Sequence, residues 1–357
     1  MLETGSAAGF DEERVESTVA IYPEQVRPLL VCLIRIDTSD FEVRLVRRHQ
    51  LRVPEQRRII GHNARRQRAV NIPDPNVALS KGAGLRIGIS ASAVRSHTNQ
   101  LDRLFRKDIE HIEIGLFESL EVADRFAARA RARDKTVGIH SPLVQGGSKY
   151  DLLRDVQMPT EAAWMQIQQE MDWCIRAKID YLLVHYPYAS VSGDLDLPAV
   201  DNGIQKLSRL QRLTDIRVIC EPKLGDDHDP AGIGWLRNAP TRIFSDAGLH
   251  ICWDVGDHLL ASRLEEVYFA QFTRWKHLIS IVHLHNVRME GRNYRWTPPH
   301  PMRSAMDAEY NLSRIVDQLP RHAAAVFEYT PQHVATPVAI KTSFNFVKAL
   351  TEKDGNA

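Results

Sequence analysis

The chain has 357 residues, 43% hydrophobic and 25% charged, an ordinary globular composition that argues against a disordered or collagen-like protein. Its formal net charge of +1 gives no whole-molecule signal for a polyanion partner. No apolar run is long enough to span a bilayer and no N-terminal stretch resembles a signal peptide, so a cytoplasmic protein with no membrane association is expected.

Residues 1–80 read as an N-terminal extension. The first 27 are polar and acidic. P-L-L-V-C-L-I-R-I and F-E-V-R-L-V-R then flank the turn residues D-T-S-D, which predicts a hairpin over 28–47. From Arg44 to Arg68 the chain is strongly basic, with Glu55 as its only acid. Such a run is usually a solvated face; its functional alternative is a patch for phosphate or nucleic acid. N-I-P-D-P-N at 71–76 reads as a linker, because its two prolines break any periodic element. The extension could cover the bottom of a barrel, mediate homo-oligomer formation or reach another partner.

From Leu85 short apolar runs alternate with amphipathic segments. The runs are L-R-I-G-I-S (85–90), H-I-E-I-G-L (111–116), T-V-G-I-H (136–140), Y-L-L-V-H-Y (181–186), R-V-I-C-E (217–221), L-H-I-C-W-D (249–254), I-S-I-V-H-L-H (279–285) and A-V-F-E-Y (325–329). Eight strand–helix repeats over about 250 residues predict an α/β fold, a (β/α)8 TIM barrel over 84–350. An open doubly wound sheet is the alternative, but no G-x-G-x-x-G follows the first run. The last helix is predicted to begin at Thr336, with Pro337 in its first helical position.

The four cysteines, Cys32, Cys174, Cys220 and Cys252, form no C-x-x-C pair and read as small core residues of a reducing compartment. Cys220 and Cys252 lie beside proposed ligands, but their side chains are expected to point away from them.

Six runs end in a His or an acid: His140, His185, Glu221, Asp254, His283 and Glu328. In a parallel barrel these ends share one cavity. One His at a strand end is more often a hydrogen-bonded loop residue, but six in succession are hard to assign to chance. Three clustered carboxylates cannot all stay ionised without a cation, and the N and O donors suit zinc or manganese, as one ion or two. Secondary candidates are His258 and Asp257 as further ligands, and Lys223, His285, Arg288 and His300 as substrate contacts. Each of these is at least as readily a cap, packing or surface residue.

The motifs I-H-S-P-L, L-V-H-Y-P, I-C-E-P-K, I-C-W-D-V-G-D-H-L-L-A-S, I-V-H-L-H-N and V-F-E-Y-T-P resemble the xylose isomerase-like TIM-barrel superfamily, which also contains the family-2 apurinic endonucleases. The resemblance covers roughly 84–350 and none of 1–80. It implies that Glu221, Asp254, His283 and Glu328 hold one divalent metal, as in sugar isomerases and epimerases. It also implies that His140 and His185 add a second ion in endonuclease-like members, with Glu221 bridging. The sequence departs from the pattern in D-V-G-D-H, where His258 is displaced by one, in Pro298-Pro299-His300, where an Asp-x-His is usual, and at Asn286.

Two chemistries follow. In a sugar or sugar-phosphate isomerase or epimerase, Glu221 and Glu328 would move a proton beside a carbonyl, through a metal-stabilised enediolate. His185 or His258 would assist at a hydroxyl, and Lys223 would meet a phosphate. The alternative is a two-metal phosphodiesterase that uses His140 and His185, with the basic 44–68 segment on a nucleic-acid backbone. Against it, the loops after the first two runs, S-A-S-A-V-R-S-H-T-N and F-E-S-L-E, are not notably basic or aromatic. A barrel that keeps the site without catalysing anything is a third reading, which the full ligand set disfavours.

Overall fold

The computed structural model describes residues 85–353, except 95, 146–149, 189–194, 226–229, 263, 291–292, 300–311 and 329–336. The predicted hairpin, basic segment and linker, together with His300 and Thr336, lie outside the described residues.

Eight strands close into a parallel barrel: β1 (Arg86–Ser90), β2 (His111–Ile114), β3 (Thr136–His140), β4 (Tyr181–His185), β5 (Arg217–Glu221), β6 (His250–Asp254), β7 (Ile279–Leu284) and β10 (Ala324–Phe327). Their order is β1-β10-β7-β6-β5-β4-β3-β2. The expected TIM barrel is therefore the observed fold. Two further strands, β8 (Asn286–Glu290) and β9 (Asn293–Thr297), form an antiparallel hairpin that follows β7. Neither strand was among the predicted runs.

Strand alternation decides what faces inward. Tyr181, Leu183, Ile219, Cys252, Ile281, Ala324 and Val326 form one fully buried cluster, and they share parity with the polar residues at their strand ends. They fill the barrel's interior. The alternate residues, such as Leu182, Val218, Ile251 and Val282, join the larger core beneath the helices. Gly138 makes room inside: a Cβ there would lie 2.0 Å from the Tyr181 ring.

The helices carry ordinary start and stop signals. Ser119 caps the helix Leu120–Arg131 by accepting from the Val122 N–H, with Glu121 in the first turn and Arg129 and Arg131 in the last. The final helix runs Pro337–Lys353, with proline in its first position as expected. Among the described residues no helix is long and apolar enough to cross a membrane.

Register sets the site. His185 lies opposite Glu221 across β4 and β5, and Asp254 opposite His283 across β6 and β7. Residues that end neighbouring strands thus stand at one level.

Candidate metal centre

Glu221 is fully buried, and its two oxygens face different groups. Oε1 lies 3.1 Å from Lys223 Nζ and 3.2 Å from His283 Nδ1. Oε2 faces His185 Nε2 at 3.3 Å and His140 Nε2 at 3.4 Å, without a well-formed hydrogen bond to either. His140 Nδ1 donates to the Ser141 carbonyl at 2.9 Å, so Nε2 is the nitrogen turned inward; burial lowers the His140 pKa, but Glu221, Glu113 and Glu328 outweigh it and raise it above the ordinary value.

Asp254 accepts from the Asp257 backbone N–H at 2.8 Å and from His285 Nε2 at 3.0 Å. Lys223 Nζ lies 2.5 Å from Asp257, 3.1 Å from Glu221 and 3.3 Å from Asp254. Glu328 follows β10 directly, and its carboxylate is 2.7 Å from His283 Nδ1.

Two ligand-like groups result. Donor atoms of Glu221, Asp254, His283 and Glu328 all lie within 4.8 Å of one another, as do those of His140, His185 and Glu221. Glu221 belongs to both.

The charges are strongly perturbed. Burial opposes ionisation of Glu221, but Lys223, His283, His140 and His185 hold its pKa well below the usual carboxylate range. Asp254 is likewise held low against burial by Lys223 and His285, and Glu328 by His283. Burial and the Asp254 charge push Asp257 up to about 6. Burial lowers His185 to about 4, although Glu221 opposes the shift, so its imidazole is neutral at pH 7. Burial also opposes the charge on Lys223, yet Asp257, Glu221 and Asp254 raise its pKa well above normal.

The residues fit a divalent ion. Carboxylates outnumber fixed cations at the mouth, one buried oxygen of Glu221 is unbonded, and a neutral imidazole faces it.

Not every candidate joins the cluster. His258 stacks on Trp253, ring centroids 3.5 Å apart, and belongs to neither group. His285 is turned to Asp254 and packs 4.1 Å from the Trp296 ring, so it orients a ligand candidate. Arg288 lies on β8, and its side chain is outside the described residues. Cys252 corrects an expectation. Two residues from Asp254, it shares that residue's parity and points inward, with its sulfur within 4.8 Å of donors of Glu221 and His283. Burial pushes its thiol pKa well up, which keeps it protonated.

One buried residue at the centre was missed. Glu113, in the middle of β2, lies 2.8 Å from His283 Nε2. It sits inside the run H-I-E-I, whereas the six leading ligand candidates read from the sequence were all at strand ends.

No family model matches the chain, and no curated protein matches it in sequence. Solved structures do match. A xylose isomerase domain containing protein from Salmonella typhimurium aligns with TM-score 0.54 at 15% identity, covering 74% of this chain and 96% of that one. A 3-keto-D-glucoside 4-epimerase from E. coli aligns with TM-score 0.53 at 13% identity, covering 74% and 99%. A xylose isomerase-like TIM barrel protein from Mycobacterium smegmatis, in complex with magnesium, aligns with TM-score 0.52 at 13% identity, covering 75% and 97%. The chain shares the TIM-barrel fold of these proteins.

Proposed function

We propose that the chain is a divalent-metal-dependent isomerase or epimerase acting on a small sugar or sugar phosphate. The observation that carries this reading is the convergence of Glu221, Asp254, His283 and Glu328 within 4.8 Å at the barrel mouth. Zinc and manganese suit these donors, and the neighbour with magnesium supports a divalent ion in general. Such an ion, when bound, supplies Lewis acidity that makes the C–H beside a carbonyl more acidic.

The chain's own groups do the rest. Glu221 and Glu328 approach from β5 and from the end of β10, with β6 and β7 between them. One takes the proton from carbon and the other returns it. Lys223, held as an ammonium by three carboxylates, faces negative charge developing on the substrate oxygen or a phosphate oxygen. Neutral His185 exchanges a proton with a substrate hydroxyl.

The test is solvent exchange. Metal-loaded protein is incubated with a panel of ketoses and ketose phosphates in D2O and followed by NMR. Deuterium should enter the carbon beside the carbonyl with at least one substrate, and Glu221→Gln should abolish it. Absence of exchange across the panel contradicts the reading.

A second reading rests on the His140, His185 and Glu221 group, which gives room for a second ion and phosphodiester hydrolysis. His140→Ala separates the two. It should remove hydrolysis and one ion if this reading holds, and leave proton exchange largely intact if the first does.

A further inference from the structure

Behind the strand-end groups a chain of polar side chains runs through the barrel's interior. His283 Nε2 lies 2.8 Å from Glu113 Oε1, and the Tyr181 hydroxyl is 2.7 Å from Glu113 Oε2. Tyr181 Oη is 2.8 Å from His111 Nε2, and His111 Nδ1 is 2.9 Å from Thr136 Oγ1. His283, Glu113, Tyr181 and His111 are all fully buried. None of these bonds can be exchanged for water.

The proton directions follow from the bonding. Tyr181 has one proton and gives it to Glu113, so its oxygen accepts from His111 Nε2–H. His111 Nδ1 is left facing the Thr136 hydroxyl, which also lies 3.2 Å from the Glu110 carbonyl. The Tyr181 hydroxyl and His283 Nε2–H both end on Glu113. With Nε2–H committed to Glu113, His283 turns Nδ1 towards Glu328 at 2.7 Å and Glu221 at 3.2 Å, and it is the Nδ1 proton that a bound cation would replace. The opposite tautomer would set a proton against the metal position and leave Glu113 without its donor.

We propose that Glu113, braced by Tyr181 and His111, is the positioning residue that fixes the ring and tautomer of His283 so that Nδ1 serves as the metal ligand. The proposal rests on the metal reading given above. Buried carboxylates that accept the second N–H of a ligating imidazole typically matter 10–100-fold in metal affinity. The geometry also explains an otherwise unfavourable feature: a carboxylate, a phenol and two imidazoles fully buried beside the apolar side chains that fill the barrel.

The experiment uses the full chain and zinc. Zinc dissociation constants are measured by chelator competition for wild type, Glu113→Gln and Tyr181→Phe, with circular dichroism melts on each. Glu113→Gln should weaken zinc tenfold or more, and Tyr181→Phe by a smaller factor, while both stay folded. Selective 15N labelling of histidine in the zinc-loaded wild type should show His283 protonated on Nε2 and ligating through Nδ1. Unchanged affinity in a folded Glu113→Gln overturns the role of Glu113, and so does a His283 that ligates through Nε2. A wild type that binds no zinc overturns the metal reading itself, and that result is distinct from both. Should Glu113→Gln not fold, the NMR result and Tyr181→Phe decide.

Discussion

Glu221 shares one carboxylate between two groups of donors, so it is the residue on which any chemistry at this site turns. Glu221→Gln keeps the shape and removes the charge that faces Lys223, His283, His140 and His185. Lys223 is its counterpart. Its ammonium neutralises buried Glu221, Asp254 and Asp257 in the metal-free chain. Lys223→Met should cost the metal-free protein about 3 kcal/mol or more, as expected for removing one partner from a buried ionic cluster. Urea denaturation with and without metal checks this, and the loss should shrink when a divalent ion takes over the neutralising role. His111 sets a pH dependence. Burial, Arg86 and Arg217 lower its pKa well below 6.5, so the native state keeps it neutral while the unfolded chain protonates it. Stability from this group is full above pH 6.5 and falls as pH drops below it, by up to about 1.4 kcal/mol per pH unit. His111→Asn should flatten that acid limb in urea titrations at pH 5 and 7.

At the scale of elements, the strand ends were legible and the strand middles were not. A run such as V-I-C-E closes with its acid at the barrel mouth whatever the neighbours do, because parallel strands in a barrel share one direction. Glu113 carries the same chemistry mid-strand, where alternation alone cannot tell a barrel's interior from solvent. The hairpin β8–β9 was hidden for another reason. Its strands, N-V-R-M-E and N-Y-R-W-T, are polar at alternate positions and lack the continuous apolar run that marks the barrel strands. The hairpin bears on the site through Trp296, which packs on His285, and His285 in turn holds Asp254. Gly256 permits this contact: a Cβ there would lie 2.3 Å from the Trp296 ring and 2.4 Å from His285. Gly256→Ala should cost about 1–3 kcal/mol through overpacking and weaken metal binding, because His285 must shift off Asp254. A thermal melt and a metal titration on the same preparation read both effects.

For the whole molecule, the barrel brings together groups spread from Glu113 to Glu328, and those groups cannot hold an ion when unfolded. Metal binding must therefore stabilise the fold, by about 2.7 kcal/mol at an ion concentration one hundred times the dissociation constant. The fold class followed from eight repeats and their spacing. Substrate identity did not, because specificity in such barrels lies in the loops beyond the strand ends. The measurement that bears most directly on the account is a calorimetric titration of the metal-free chain with zinc and with manganese, alongside Glu221→Gln. The wild type should take up one or two ions per chain and the variant should bind far more weakly while remaining folded; a wild type that binds neither ion, or a variant that binds as tightly, contradicts the account.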